Sequence, residues 1–240
     1  MKVFVSYSTT DKAIAGDLFR QMGAYGVDAF LAHETVEIAA DWKGRILREL
    51  AAADAMIVLL SINCQRSKWT GHEVGYFYAH TRHQGLIIPI SLDETISYGM
   101  FDHLQSERIP MGVRSIPVVM WLAPLFNAFP GRMIPILVEK LVDCRCFRTS
   151  EVYMKLLQPH YLSIDQAQLD QLMMAVTSNP CVYSARECRM TYIPRLIANN
   201  TNRLSPAQIE GMQHKLDSDE QFIERVILPT SAMVGDGHGK

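Results

Sequence analysis

The chain has 240 residues, 48% hydrophobic and 20% charged, enough apolar material for one large domain or two smaller ones and too much for a disordered segment. Its formal net charge of −2 removes any global electrostatic case for nucleic acid or an anionic membrane as partner. No apolar run reaches transmembrane length, and the opening MKVFVSYSTTDK lacks the apolar stretch and cleavage site of a signal peptide, so a cytoplasmic protein is expected.

Residues 2–8, KVFVSYS, place Val3, Val5 and Tyr7 on one face and Phe4 on the other, as a β-branched and aromatic strand does. Thr9, Thr10 and Asp11 then offer capping side chains to a helix with Ile14, Leu18 and Met22 on one stripe, ended by Gly23 and Gly26. A short strand is predicted over Val27–Ala32. The loop from His33 to Asp41 carries the acids Glu34, Glu37 and Asp41, and a second helix follows with Trp42, Ile46 and Leu50 aligned. Ala55–Leu60 is a continuous apolar run, the mark of a strand in a parallel sheet covered on both faces. SKWTGHEVGYFYA, starting at Ser67, opens a helix, and Leu86–Ile90 is another buried strand. Ile116–Leu122, with Pro117 inside it, reads as an edge strand.

Strand alternating with helix implies an α/β fold, a flavodoxin-like doubly wound parallel sheet of five strands. The character then changes. Residues 150–228 read as helical, with caps expected at Ser163 and Ser205, each within a Leu-Ser-x-x-Gln pattern. The domains are placed at 1–148, 149–230 for a helical region, and 231–240 for a loose tail. The helical region has no Gly-rich phosphate loop and no paired carboxylates at ligand spacing. Its Met- and Leu-rich helices suit a regulatory or assembly module, with an effector or sensor protein as a partner class.

The five cysteines are odd in number and unevenly spread, which fits reduced thiols. Cys144 and Cys146 are separated by one residue and Cys181 and Cys188 by six, neither the usual zinc-knuckle spacing. No metal site is assigned.

In a doubly wound sheet, ligands sit at the carboxyl ends of the strands. Three features converge there: Ser8-Thr9-Thr10, the acidic loop 33–41, and Ser67-x-Trp69-x-x-x-Glu73. Trp69 and Glu73 stand one helical turn apart on one face. An indole can stack on a flat heterocycle while a carboxylate binds ribose hydroxyls, and the same carboxylate can stabilise an oxocarbenium-like transition state. Each residue also has an ordinary role available: Trp69 as packing, Glu73 as a complement to the helix dipole, Ser67 as a cap. His72 points about 100° away from Glu73 around the helix and is given no role.

FVSYS with Asp11-Lys12, the Asp28-Ala29-Phe30 strand, the Trp42 helix, MIVLLS and S-x-W-x-x-x-E-x-G, in this order, resemble a bacterial-type Toll/interleukin receptor (TIR) domain over about residues 1–125. The resemblance implies that Glu73 is the catalytic residue that splits nicotinamide from NAD without a metal. It implies substrate binding by Trp69, Ser67, Ser8, Thr9, Phe30 and Trp42, with NAD as substrate and no cofactor. Loop 33–41 would gate the site and mediate TIR–TIR self-association. Bacterial relatives commonly serve anti-phage immunity by depleting NAD or making cyclic ADP-ribose. An NAD glycohydrolase or ADP-ribosyl cyclase is therefore the expected function. A non-catalytic TIR adaptor and a nucleoside deoxyribosyltransferase-like enzyme are the alternatives.

Overall fold

The computed structural model describes residues 1–31, 42–109 and 119–216. It divides into two compact units, Met1–Phe129 and Pro130 onward. In the first unit, β1 (Lys2–Ser6), β2 (Asp28–Leu31), β3 (Ala55–Leu60), β4 (Leu86–Ser91) and β5 (Glu107–Arg108) form one parallel sheet in the order β2-β1-β3-β4-β5. The fold is the flavodoxin-like α/β arrangement, with its topological switch where β1 lies between β2 and β3. The helices are α1 (Lys12–Gly23), α2 (Trp42–Ala52), α3 (Ile62–Arg66), α4 (Lys68–His80) and α5 (Val119–Ala128).

The sheet's strand period decides the core. Phe4, Met56, Val58 and Leu60 face Ile46 and Leu50 of α2, Cys64 of α3, and Val74 and Phe77 of α4 in one buried cluster. Val3, Val5, Tyr7, Ile57 and Leu59 alternate with them and are equally buried, so the opposite face is covered too; α1 packs on β2 and α5 on β4. Ser6 is the next residue after Phe4 on the first face and is fully buried. Pro89 lies within β4, and among the described residues β5 pairs with Ile90 and Ser91, so the residue without an N–H is not called on to donate to β5.

One expectation is corrected here, and one element is added. The edge strand is not Ile116–Leu122: residues 119–122 begin α5, and residues 116–118 lie outside the described residues. Trp121, Leu122, Leu125 and Phe126 are all fully buried, a helical spacing that an almost continuous apolar run hides. The fifth strand is the two-residue Glu107–Arg108, both exposed. Between β3 and α4 stands the additional helix α3, capped by the Ser61 hydroxyl, which accepts from the Cys64 N–H at 2.9 Å.

The second unit holds α6 (Pro130–Val142), α7 (Phe147–Leu157), α8 (Gln166–Ser178), α9 (Pro180–Tyr183), α10 (Ile193–Asn200) and α11 (Pro206–Leu216), with a π-helical turn at Cys188–Tyr192. The sequence draws its boundary at 148, whereas α6 packs on α7 and α8, burying Met133, Leu137, Val138 and Leu141 among helices of the second unit. Asn179 ties these helices together. Its side-chain amide donates to the carbonyls of Leu141, Val142 and Cys144 at 3.1, 3.0 and 2.9 Å, and its oxygen caps α9 at the Cys181 N–H. Ser205 forms its predicted cap, exchanging bonds with Gln208. Ser163 does not: the capping box of α8 is Asp165 with Gln168, two residues later. Cys64, Cys144 and Cys188 are buried, while Cys146 is exposed. Among the described residues, no helix is long and apolar enough to cross a membrane.

Candidate active site

Glu73 lies in the second turn of α4, and only 3% of its surface is exposed. α4 begins at Ser67, whose hydroxyl accepts from the Trp69 N–H at 3.3 Å, and Lys68-Trp69-Thr70-Gly71-His72 follow before the carboxylate. A carboxylate inside a sheet–helix layer requires a donor, and β1 supplies it. Ser6 Oγ donates to Glu73 Oε2 at 2.6 Å, across 67 residues of sequence. The other oxygen, Oε1, is buried and has no hydrogen-bond partner among the described residues. Burial is the larger influence and raises the carboxyl from its ordinary 4.5 to about 7, against the lowering effect of the Ser6 bond. Glu73 is therefore poised between its acid and its base near neutral pH, as expected of an acid–base or charge-stabilising group and not of a surface cap.

A cavity of about 320 Å³ opens between α2 and α4, lined by Trp42, Lys43, Ile46, Leu47, Leu50, Trp69, His72, Glu73 and Tyr76. Trp42 and Trp69 meet edge to face, ring centroids 4.6 Å apart and planes at 77°. Each is about two-fifths exposed, so both present an aromatic surface to solvent as well as to each other. The ring of His72 lies 6.1 Å from that of Trp69.

Of the residues selected in the sequence, Glu73, Trp69 and Trp42 are brought together on this cavity. The other four lie outside its lining. Ser67 is the cap of α4. Ser8 is buried, and its carbonyl accepts the Asp11 N–H at 2.8 Å, while Thr9 is exposed in the turn that follows. Phe30 packs against Phe4 with centroids 5.5 Å apart, and the Arg45 guanidinium sits 5.7 Å from its ring centre. Loop 33–41 falls outside the described residues.

Sequence reasoning missed Ser6, Lys43, His72 and Tyr76. His72 is set aside by its angle from Glu73, yet the groove between two helices is wide enough for neighbouring positions of α4 to line it together. Ser6 had one available signal: a small polar residue in the row of β1 that otherwise buries Phe4, which needs a polar partner if that face is covered.

The sequence model of the TIR domain family matches residues 3–110, which include Ser6, Trp42, Trp69 and Glu73. No curated protein matches the chain. Among solved structures, the chain is similar to the TIR domains of the activated Roq1 resistosome that directly recognizes the pathogen effector XopQ, at 12% identity and a TM-score of 0.35, over 90% of this chain and 98% of that one.

Proposed function

Residues 3–110 are a TIR domain, and we propose that this domain cleaves the nicotinamide–ribose bond of NAD, with Glu73 as the carboxylate that stabilises the cationic ribose. The observation that carries the reading is the state of Glu73: a buried carboxyl near the cavity's aromatic pair, one oxygen held by Ser6 and the other without a partner among the described residues. A residue serving only an adaptor surface has no use for a buried, half-titrated acid.

In the proposed reaction the bond between ribose C1 and the pyridinium nitrogen breaks. Its electron pair passes to the ring nitrogen, so nicotinamide leaves neutral and the positive charge moves to the C1–oxygen unit of the sugar. Ionised Glu73 lowers the energy of that charge inside a site of low dielectric constant. Trp69 and Trp42 supply aromatic surface for a planar base, and Lys43 on the rim is a cation for the pyrophosphate. Water then adds to C1, releasing ADP-ribose and a proton; capture by an adenine nitrogen of the same molecule gives the cyclic product instead. The pyridinium charge of bound NAD favours the ionised carboxyl, which matches the site to its substrate.

Consumption of NAD, or a cyclic nucleotide signal made from it, suits a cytoplasmic immune role, including defence against phage. Self-association through TIR domains, with the helical second unit as its regulator, is part of this proposal. The test is incubation of the full-length protein with NAD, followed by chromatographic separation of nicotinamide, ADP-ribose and cyclic product, beside Glu73→Gln. Release of nicotinamide that disappears in the variant supports the reading. No release at any protein concentration favours the adaptor.

A further inference from the structure

Ser6 lies within the FVSYS run, where the sequence by itself gives it no role, yet its hydroxyl makes the contact that holds Glu73. Its oxygen is fully buried, it stands at the carboxyl end of β1 beside the topological switch, and its register partner on β3 is Val58. The bond to Oε2, at 2.6 Å, has the length of an O–H donor to an ionised oxygen. We propose that Ser6 is a positioning residue for NAD cleavage: its hydroxyl holds Oε2 of the ionised Glu73 side chain, so that Oε1 is the oxygen left to meet the ribose. This role rests on the NAD-cleaving reading above.

Among the described residues, the surroundings give the hydroxyl little competition. There α4 packs with α2, α3, β1 and the turn Gly99–Phe101. From α2, Lys43 lines the cavity, while Arg45 sits over Phe30 and Glu49 pairs with Lys2 of β1 at 2.5 Å; Arg48 is exposed. From α3, Cys64 turns to the Tyr98 hydroxyl at 3.5 Å, and Arg66 is exposed. The turn has no titratable residue. On α4 itself, His72 and Tyr76 share the cavity lining. Burial raises the Glu73 carboxyl, and the Ser6 bond is the influence that lowers it. With that bond removed, the ionised form loses its donor and the proton is held to higher pH.

The test is Ser6→Ala in the full-length protein, with two readouts. The first is the carboxyl titration of the free protein, followed by infrared difference spectroscopy and assigned as the band absent from Glu73→Gln. The midpoint is expected to rise by about one to two pH units on loss of a bond to a charged oxygen. The second is the pH profile of kcat/KM for NAD, whose acid limb should rise by the same amount. The loss should therefore be about 10- to 100-fold below neutrality and shrink at alkaline pH. Ser6→Thr, which restores the hydroxyl, should return the midpoint; if threonine does not fit the buried site, Ser6→Cys, a weaker donor, should give a value between wild type and alanine. A midpoint and acid limb that stay in place, with activity lost equally at every pH, would mean that Ser6 only packs. If the midpoint moves as stated and the wild type cleaves no NAD, the Ser6–Glu73 coupling stands and the NAD reading fails.

Discussion

The indole of Trp42, the first residue of α2, stands edge to face with the indole of Trp69, the second residue of α4, at a centroid separation of 4.6 Å. The pair joins two helices that pack on the same face of the sheet and together border the cavity over Glu73. The two rings therefore have a structural contact and, on the proposed function, a shared task at the substrate base.

Separating these tasks is a matter of a double-mutant cycle. Trp42→Ala and Trp69→Ala should each lower kcat/KM for NAD by about 10-fold or more, mainly through KM, since stacking supplies binding surface. In thermal stability the pair should couple by about 1 kcal/mol, the range of an aromatic contact. Additive stability losses would show that the rings do not support one another, and unchanged kinetics would return both to packing.

The strands β1 to β4 and the helices α1, α2 and α4 are legible in the sequence because each has a clear two- or 3.6-residue apolar period, or an uninterrupted buried run. Where period fails, so does the reading. The segment Val119–Ala128 is apolar on all sides and so resembles the strand expected near it. β5 has two exposed charged residues and no apolar signal at all. Trp69 and Glu73 are found from their spacing along one helix. Ser6 is not, because its significance arises only when parallel pairing brings the end of β1 under α4, and nothing in the local sequence encodes that meeting.

Glu73 should also govern how stability depends on pH. Its folded-state value, about 7, lies above its ordinary 4.5, so the folded protein holds this proton more tightly than the unfolded chain does. Ionising the buried group therefore costs stability progressively as pH rises from about 4.5 to about 7, reaching about 3 kcal/mol above that window. Glu73→Gln has no charge to bury. Its melting temperature should exceed that of the wild type at pH 8, with the difference closing towards pH 4.5. A variant less stable than wild type at pH 8 by the same margin as at pH 5 would contradict the titration assigned here.

Asn179 offers a test of the second unit. One side chain serves the carbonyl end of α6 and the N–H end of α9, so Asn179→Ala leaves several buried or half-buried backbone groups without their donor or acceptor. A loss of about 2 kcal/mol or more is expected, read as faster amide hydrogen exchange in α6 and α9. Unchanged exchange there would mean that solvent replaces the side chain at little cost.

The unit boundary has its own consequence. A chain ending at Val142 or Arg148 keeps α6 but removes α8, on which α6 packs, and exposes apolar surface of α6 that is otherwise buried. A chain ending at Phe129 removes α6 as well. Light scattering should find the longer chain aggregated and the shorter one dispersed. The reverse order would place α6 with the first unit.

The most direct measurement is nicotinamide release from NAD by full-length protein at pH 8, compared with Glu73→Gln whose folding has been verified by circular dichroism. Release by the wild type with a loss of about 10²-fold or more in the variant is the predicted result, since the amide keeps the shape of the side chain and cannot stabilise a cation. Equal release by both proteins would contradict the assignment of Glu73, and no release by the wild type would contradict NAD cleavage itself.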